Sequence, residues 1–136
     1  MCELLGKDAC ALKPRGVGWS ELAASMGARM YTCVPKSYCM YVAATLQHLT
    51  PTLQRIWDEL EYLNMNTNGG MRRLSKIKNT ELQRRATYKA KQGGTEVVKG
   101  FGSEIRGVVI DEPRKMRGSR VERLFFEEAG SNPKLV

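Results

Sequence analysis

Short apolar runs and amphipathic runs alternate along this chain, which is the pattern of a layered α/β domain. The run at 38–44, YCMYVAA, is almost continuously apolar and is typical of a central parallel strand that is buried on both faces. Shorter apolar runs predict further strands at 9–12, 105–110 and 121–126, and a weaker one at 81–88. The order strand, loop, helix, strand, helix, strand predicts a mainly parallel sheet with right-handed crossover connections.

Two helices are predicted between these strands. The first runs from Ser20 to about residue 30, and its inner face is expected to carry Leu22, Ala23, Met26 and Met30. The second begins with Thr50 as N-cap and Pro51 in the first turn, where the missing N–H of proline has no helical partner in any case. Its apolar stripe, which predicts a core position for the tryptophan, is Leu53, Ile56, Trp57, Leu60 and Leu63.

Two glycine-containing segments predict turns on either side of the weak strand. They are NTNGG at 66–70 and KQGG at 91–94. The chain shows no internal repeat, coiled coil or low-complexity segment.

The segment KPRGVGWS at 13–20 has the composition of a phosphate-binding loop in front of the first helix. Gly16 and Gly18 can adopt positive φ and expose their backbone N–H groups, and a helix N-terminus attracts anions. The lysine that ordinarily precedes the Ser or Thr of such a loop is replaced by Trp19. On residue types alone, the string is equally compatible with an ordinary glycine-rich turn.

Cations are nevertheless available at the front of the loop. Lys13 and Arg15 can fold back over the β- and γ-phosphates, and their charge matters more than their place in the string.

Two pairs of acidic residues follow predicted strands. Glu127 and Glu128 end the strand at 121–126, at the end where open α/β sheets bind their ligands. Asp111 and Glu112 end the run GVVIDE in the same way and are the better match to the general rule of an apolar run followed by Asp and Glu. Residue types do not choose between the pairs, and a strand that simply meets solvent at two glutamates is a third alternative.

Taken together, three segments resemble the ATPase domain of the large terminase subunit of tailed phages, the motor that packages DNA. They are KPRGVGWS, SEIRGVVIDEPRKMRG at 103–118 and RLFFEEAG at 123–130. In that family a lysine often stands at the front of the loop and an aromatic residue directly before the serine, as Lys13 and Trp19 do here. The spacing G-x-x-x-D-x-P followed by RG is similar to the segment that precedes the second ATP motif, and it comprises Gly107, Asp111, Pro113, Arg117 and Gly118.

The resemblance implies a P-loop NTPase-like layered α/β fold and a site for ATP and Mg²⁺. Glu128 would act on the attacking water, Lys13 and Arg15 would neutralise phosphate charge, and Ser20 and Glu127 would hold the metal. Glu127 stands where many relatives carry Asp. The residues that the resemblance assigns to nucleotide binding are Lys13, Arg15, Gly16, Val17, Gly18, Trp19 and Ser20.

The resemblance also implies partners and a setting. These are double-stranded DNA, a portal protein, a procapsid, a small terminase subunit and a homo-oligomeric ring, in the host cytoplasm and transiently at the procapsid. We expect residues 1–136 to be a partial ATPase domain with an incomplete sheet and no nuclease domain. We also expect slow hydrolysis by the lone chain, because ring ATPases complete their sites with a neighbour's arginine.

Charge is distributed unevenly along the chain. Of a net charge of +8, the whole excess lies in a basic middle region at 71–123, which has 15 Lys and Arg against 6 Asp and Glu. Such density suits a phosphate backbone, although a solvated basic face is the alternative for any single residue. The residues expected to contribute are Arg72, Arg73, Lys76, Lys78, Arg84, Arg85, Lys89 and Lys91. No base-reading motif accompanies them, so DNA contact is expected to be independent of sequence.

Other chemistry has little support. The four cysteines, at 2, 10, 33 and 39, match no zinc spacing, and His48 is the single histidine, so zinc sites and histidine-based hydrolases are disfavoured. No apolar run approaches the ~20 residues of a membrane span, so no membrane partner is expected. Two alternatives remain open, a non-catalytic basic nucleic-acid-binding module and another P-loop DNA translocase or helicase.

Overall fold

The computed structural model describes residues 18–73, 80–110 and 120–127. The described residues form two helices and six strands, in the order α1 (Trp19–Cys33), β1 (Tyr38–Ala43), α2 (Leu46–Asn66), β2 (Gln83–Arg85), β3 (Tyr88–Gln92), β4 (Thr95–Lys99), β5 (Glu104–Val109) and β6 (Arg123–Glu127). The strand predicted at 9–12 lies outside the described residues.

A four-stranded sheet with the order β2-β5-β1-β6 forms the centre of the fold. Strands β5 and β6 both pair with β1 in parallel, and β2 pairs with β5 antiparallel. The predictions of a mainly parallel sheet and of a central strand at 38–44 are therefore confirmed. The register places Val109 and Glu127 on either side of Ala43. We call the edge where these three parallel strands end the carboxyl edge, and the opposite edge the amino edge.

Both helices pack on one face of this sheet. Cys39, Tyr41 and Ala43 of β1 belong to the core beneath the helices, while Met40 and Val42 lie in a second cluster on the other face. All five are at most 1% exposed, because β1 has a paired strand on each side and apolar groups on both faces. Burial on both faces of the sheet therefore explains why the sequence of β1 is continuously apolar.

Helix α1 turns a different face to the sheet from the one predicted. Ala23 and Met30 are buried as expected, but Leu22 is 52% exposed and Met26 is only half-buried. The reason is that small residues form the contact surface and let the helix approach closely, and these are Ala23, Ala24, Gly27 and Ala28. The prediction was based on hydrophobicity alone, which favoured larger side chains on the inner face of the helix.

Helix α2 begins five residues earlier than predicted. Thr45 is its N-cap, and the amides of His48 and Leu49 both donate to the Thr45 carbonyl at 3.2 Å, so Pro51 lies inside the helix. Proline at this position removes one backbone hydrogen bond near the helix start. The burial of Leu49 and of the apolar stripe that follows it outweighs this loss. Trp57 is 6% exposed, so its predicted core position is confirmed.

The segment predicted as a weak strand at 81–88 divides into β2 and the first residue of β3. Strand β4 was not predicted, and with β3 it forms a separate two-stranded sheet. Both predicted turns are present, with φ of 78° at Gly69 and of 59° and 86° at Gly93 and Gly94. Neither helix of the described residues is long and apolar enough to cross a membrane.

Candidate functional site

Helix α1 begins at a left-handed glycine. Gly18 is its N-cap, with φ 74° and ψ 17°, which confirms the prediction of positive φ at this position. The amide of Leu22 donates to the Gly18 carbonyl at 3.0 Å, so the helical pattern starts there. The amides of Trp19, Ser20 and Glu21 precede this first helical bond and have no acceptor within the helix. The N-cap is a glycine, so it has no side chain that could accept from them. This helix start therefore presents polar N–H groups of the kind that bind anions.

The side chain of Ser20 lies beside the last residue of β6. Its Oγ is 3.4 Å from Oε2 of Glu127, a longer separation than an ordinary O–H···O hydrogen bond. The contact arises because α1 begins at the carboxyl edge beside β6, where Glu127 lies level with Ala43. The structure thus brings together the two residues that the resemblance assigns to the metal.

Glu127 is a buried carboxylate, with 7% of its surface exposed. Among the described residues its Oε1 atom has no hydrogen-bond partner. A buried carboxylate oxygen without a partner costs free energy unless a ligand satisfies it. Carboxylate and hydroxyl oxygens are ligands that Mg²⁺ accepts, so Ser20 and Glu127 fit the metal that the resemblance implies.

The described residues contain no cluster of three or more metal-binding side chains. A cation at Ser20 and Glu127 would therefore take most of its ligands from water and phosphate oxygens. Mg²⁺ usually binds proteins in that way, with few side chains and several waters.

Tyr41 of β1, which is buried, links α1 to the sheet and stacks on a partly buried phenylalanine of β6. The ring of Tyr41 stacks on Phe125 with centroids 4.7 Å apart and planes 12° from parallel. The Tyr41 hydroxyl donates to the Ala23 carbonyl of α1 at 2.6 Å, and burial raises the pKa of this phenol far above its ordinary value. Sequence reasoning missed this support, since a tyrosine in an apolar strand gives no sign of its hydroxyl's partner.

Polar contacts hold the first turns of α1 against α2. Arg55 pairs with Glu21 at 2.6 Å, and Ser25 Oγ donates to Glu59 Oε1 at 2.9 Å. Desolvation, together with repulsion from Glu21, raises the pKa of Glu59, while the bond from Ser25 opposes the shift. The ion pair between Arg55 and Glu21 therefore holds the residue that directly follows Ser20.

Several predicted site residues lie outside the described residues. These are Lys13, Arg15, Gly16, Val17 and Glu128, together with Asp111 and Glu112 of the alternative pair. Trp19 is the first residue of α1 and is half-buried.

The end of β5, after which the alternative pair follows, lies on the far side of β1 from Glu127. The amide of Ile110 donates to the Ala43 carbonyl at 3.1 Å, so this end also reaches the carboxyl edge. Because β1 lies between β5 and β6, the two positions are roughly 10 Å apart. Ser20 contacts the acid on β6.

Most of the described arginines of the basic middle region have partners within the fold. Arg73 Nε donates to the Thr32 carbonyl at 2.8 Å, and its guanidinium lies 4.1 Å from the ring centre of Phe101. Arg84 lies 4.4 Å above the ring of Trp57, and Arg85 pairs with Glu104 at 3.3 Å. Lys76 and Lys78 lie outside the described residues. The predicted contribution of Arg73 and Arg84 to a DNA surface therefore competes with a structural role.

Comparison with known proteins shows that this chain has the fold of solved terminase ATPase domains. Two solved structures of the Thermus phage P74-26 large terminase ATPase domain, one of them a point mutant, superpose with a TM-score of 0.66 at 19% identity. The match covers 97–98% of this chain and 58% of each solved chain. No family model and no curated protein matches the sequence. At this identity the likeness establishes the fold, and at that level the resemblance seen in the sequence is confirmed.

Proposed function

We propose that this chain is part of the ATPase of a phage terminase, which couples ATP hydrolysis to packaging of double-stranded DNA into a procapsid. The observation that carries the proposal is the 3.4 Å approach of Ser20 Oγ to the buried Glu127 Oε2. It joins the end of the phosphate-loop motif to the first acid of the second motif. The terminase ATPase fold supports the same reading.

In this proposal, the phosphates of ATP lie against the backbone N–H groups at the start of α1. Lys13 and Arg15 neutralise charge on the β- and γ-phosphates, and Glu128 orients the attacking water and takes up its proton. Ser20 and Glu127 would hold Mg²⁺. When bound, the metal neutralises charge that develops on the phosphates during transfer.

The remaining parts of the proposal concern partners. Hydrolysis would drive duplex DNA through a homo-oligomeric ring at the portal of the procapsid, with the small terminase subunit as a further partner. An arginine from a neighbouring subunit would complete each site. The setting would be the host cytoplasm.

Mg²⁺-dependent ATP binding and hydrolysis test the site directly. We expect Lys13→Ala to lose ATP binding, and Glu128→Gln to keep binding and lose turnover. The matched control is Glu112→Gln, which removes the same charge at the other acidic pair and should leave both properties unchanged. Normal turnover in Glu128→Gln with loss in Glu112→Gln would move the acidic role to Asp111 and Glu112.

The basic middle region favours one competing function, a non-catalytic nucleic-acid-binding module. That function predicts DNA binding in a folded protein that binds no ATP at all. Measuring ATP and DNA binding on the same preparation separates the two. Another P-loop translocase or helicase would share the ATP site, and would differ by moving DNA without a procapsid.

A further inference from the structure

Strands β3 and β4 form a hairpin that extends away from the rest of the fold. Among the described strands they pair only with each other, in register from Tyr88 opposite Lys99 to Gln92 opposite Thr95. Every residue from 91 to 100 is exposed. The two-residue turn at Gly93 and Gly94 has positive φ at both positions, as a tight hairpin of this twist requires. The hairpin is therefore a narrow two-stranded ribbon in solvent.

The base of this hairpin is fixed to the main sheet. The amide of Ala86 donates to the Ser103 carbonyl at 2.8 Å, and the amide of Gly102 donates to the Ala86 carbonyl at 2.9 Å. These bonds continue the pairing of β2 with the first residues of β5. The hairpin thus leaves the fold at the amino edge, opposite the carboxyl edge where Ser20 and Glu127 lie.

Lysines occupy both faces of the ribbon. The alternation of side chains puts Lys89 and Lys91 on one face and Lys99 on the other. Glu96 is the only acid in the hairpin and pairs with Lys89 at 3.0 Å in the open, where such a pair contributes little. Among the described residues, no acidic side chain pairs with Lys91 or Lys99. Within the described part of the chain, these two lysines therefore differ from Arg73 and Arg84, which contact aromatic rings of the fold.

We propose that the β3–β4 hairpin is the surface by which this protein holds duplex DNA, through phosphate contacts made by its lysines. The choice of DNA as the polyanion rests on the proposed function. A two-stranded ribbon fits the major groove, and lysines on both of its faces reach the phosphate chains on both sides of that groove. Phosphate contacts carry no sequence information, which suits a motor that moves along arbitrary DNA.

The test is the binding of a random-sequence duplex to the full chain without nucleotide, over a range of salt concentrations. Lys91→Gln with Lys99→Gln removes two contacts, so the slope of log K against log salt should fall by about 2 and affinity at 0.1 M salt by at least about tenfold. The matched control is Arg29→Gln with Arg55→Gln, which removes the same charge from α1 and α2. We expect less than about a threefold change in the control, as for a small change in the general field.

Three results would overturn the proposal. They are an equal loss in both double variants, no change in the hairpin variant, and no DNA binding by the unaltered protein. Thermal unfolding of each variant verifies that it is folded. ATP binding, measured separately, tests the proposed function independently of the hairpin. If the protein binds no ATP but the hairpin variant still loses DNA affinity, the proposed function fails and the hairpin proposal stands.

Discussion

Ser20 Oγ and Glu127 Oε2 lie 3.4 Å apart although 107 residues separate them in the chain. The pair joins the first turn of α1 to the last residue of β6, and therefore depends on the packing of the helix on the sheet. Glu127 Oε1, buried and without a hydrogen-bond partner among the described residues, makes the site costly to the folded state. A cation bound at this oxygen would offset that cost.

Replacing Glu127 by Gln is expected to stabilise the protein in the absence of ligand. The change removes a buried charge at nearly constant volume, so the free energy of unfolding should rise by about 1 kcal/mol, as measured by urea denaturation. The same variant should lose any stabilisation by Mg²⁺ and ATP. Glu122→Gln is the control, because Glu122 is exposed just before β6 and should show neither effect. If Glu127→Gln were less stable than the unaltered protein, the buried carboxylate would not be destabilising the folded state.

A methyl group at Gly27 would collide with the tyrosine that supports the site. An added Cβ would lie 2.1 Å from Oη of Tyr41 and 3.0 Å from its Cζ, so Gly27→Ala should lower the free energy of unfolding by roughly 2 kcal/mol or more. In a Tyr41→Phe background the nearest contact disappears, and the same substitution should cost less. Equal costs in the two backgrounds would show that the hydroxyl is not the obstacle.

Arg73 and Arg72 are adjacent arginines with different surroundings. Arg73→Lys gives up the planar contact with Phe101 and weakens the bond to the Thr32 carbonyl, so it should cost about 1–2 kcal/mol of unfolding free energy. Arg72 is exposed, and Arg72→Lys should leave stability unchanged. The comparison uses thermal or urea unfolding. A similar loss in both variants would point to a general effect of charge rather than to the Phe101 contact.

Glu59 should make stability fall as the pH rises from mildly acidic values. Its pKa in the folded protein is raised above the ordinary value of 4.5, so the folded state holds this proton more tightly than the unfolded state does. The contribution of Glu59 is therefore most favourable below pH 4.5, and it is lost as the pH rises through the folded pKa. Urea denaturation of Glu59→Gln between pH 4 and 7 should lack this decline, whereas Glu61→Gln, at an exposed position on the same helix, should retain it.

Much of the fold could be predicted from local pattern. The continuous apolar run of β1 indicated a strand buried on both faces, and the stripe around Trp57 indicated a helix against the core. The predictions for α1 and α2 were wrong where packing between elements outweighed the local sequence pattern. Close packing through Ala24 and Gly27 rotated α1 away from Leu22, and burial of Leu49 extended α2 across Pro51.

The sequence by itself determined the candidate chemistry: a glycine-rich loop before a helix, acidic pairs after strands, and a basic excess between them. Each is a property of residue type and near-neighbour order. Only the tertiary structure showed that Glu127 lies beside Ser20 and that several arginines are held within the fold. It also decided where the lysines of β3 and β4 project. The physical reason is that these relationships depend on strand order and helix placement, which arise from contacts between residues far apart in the chain.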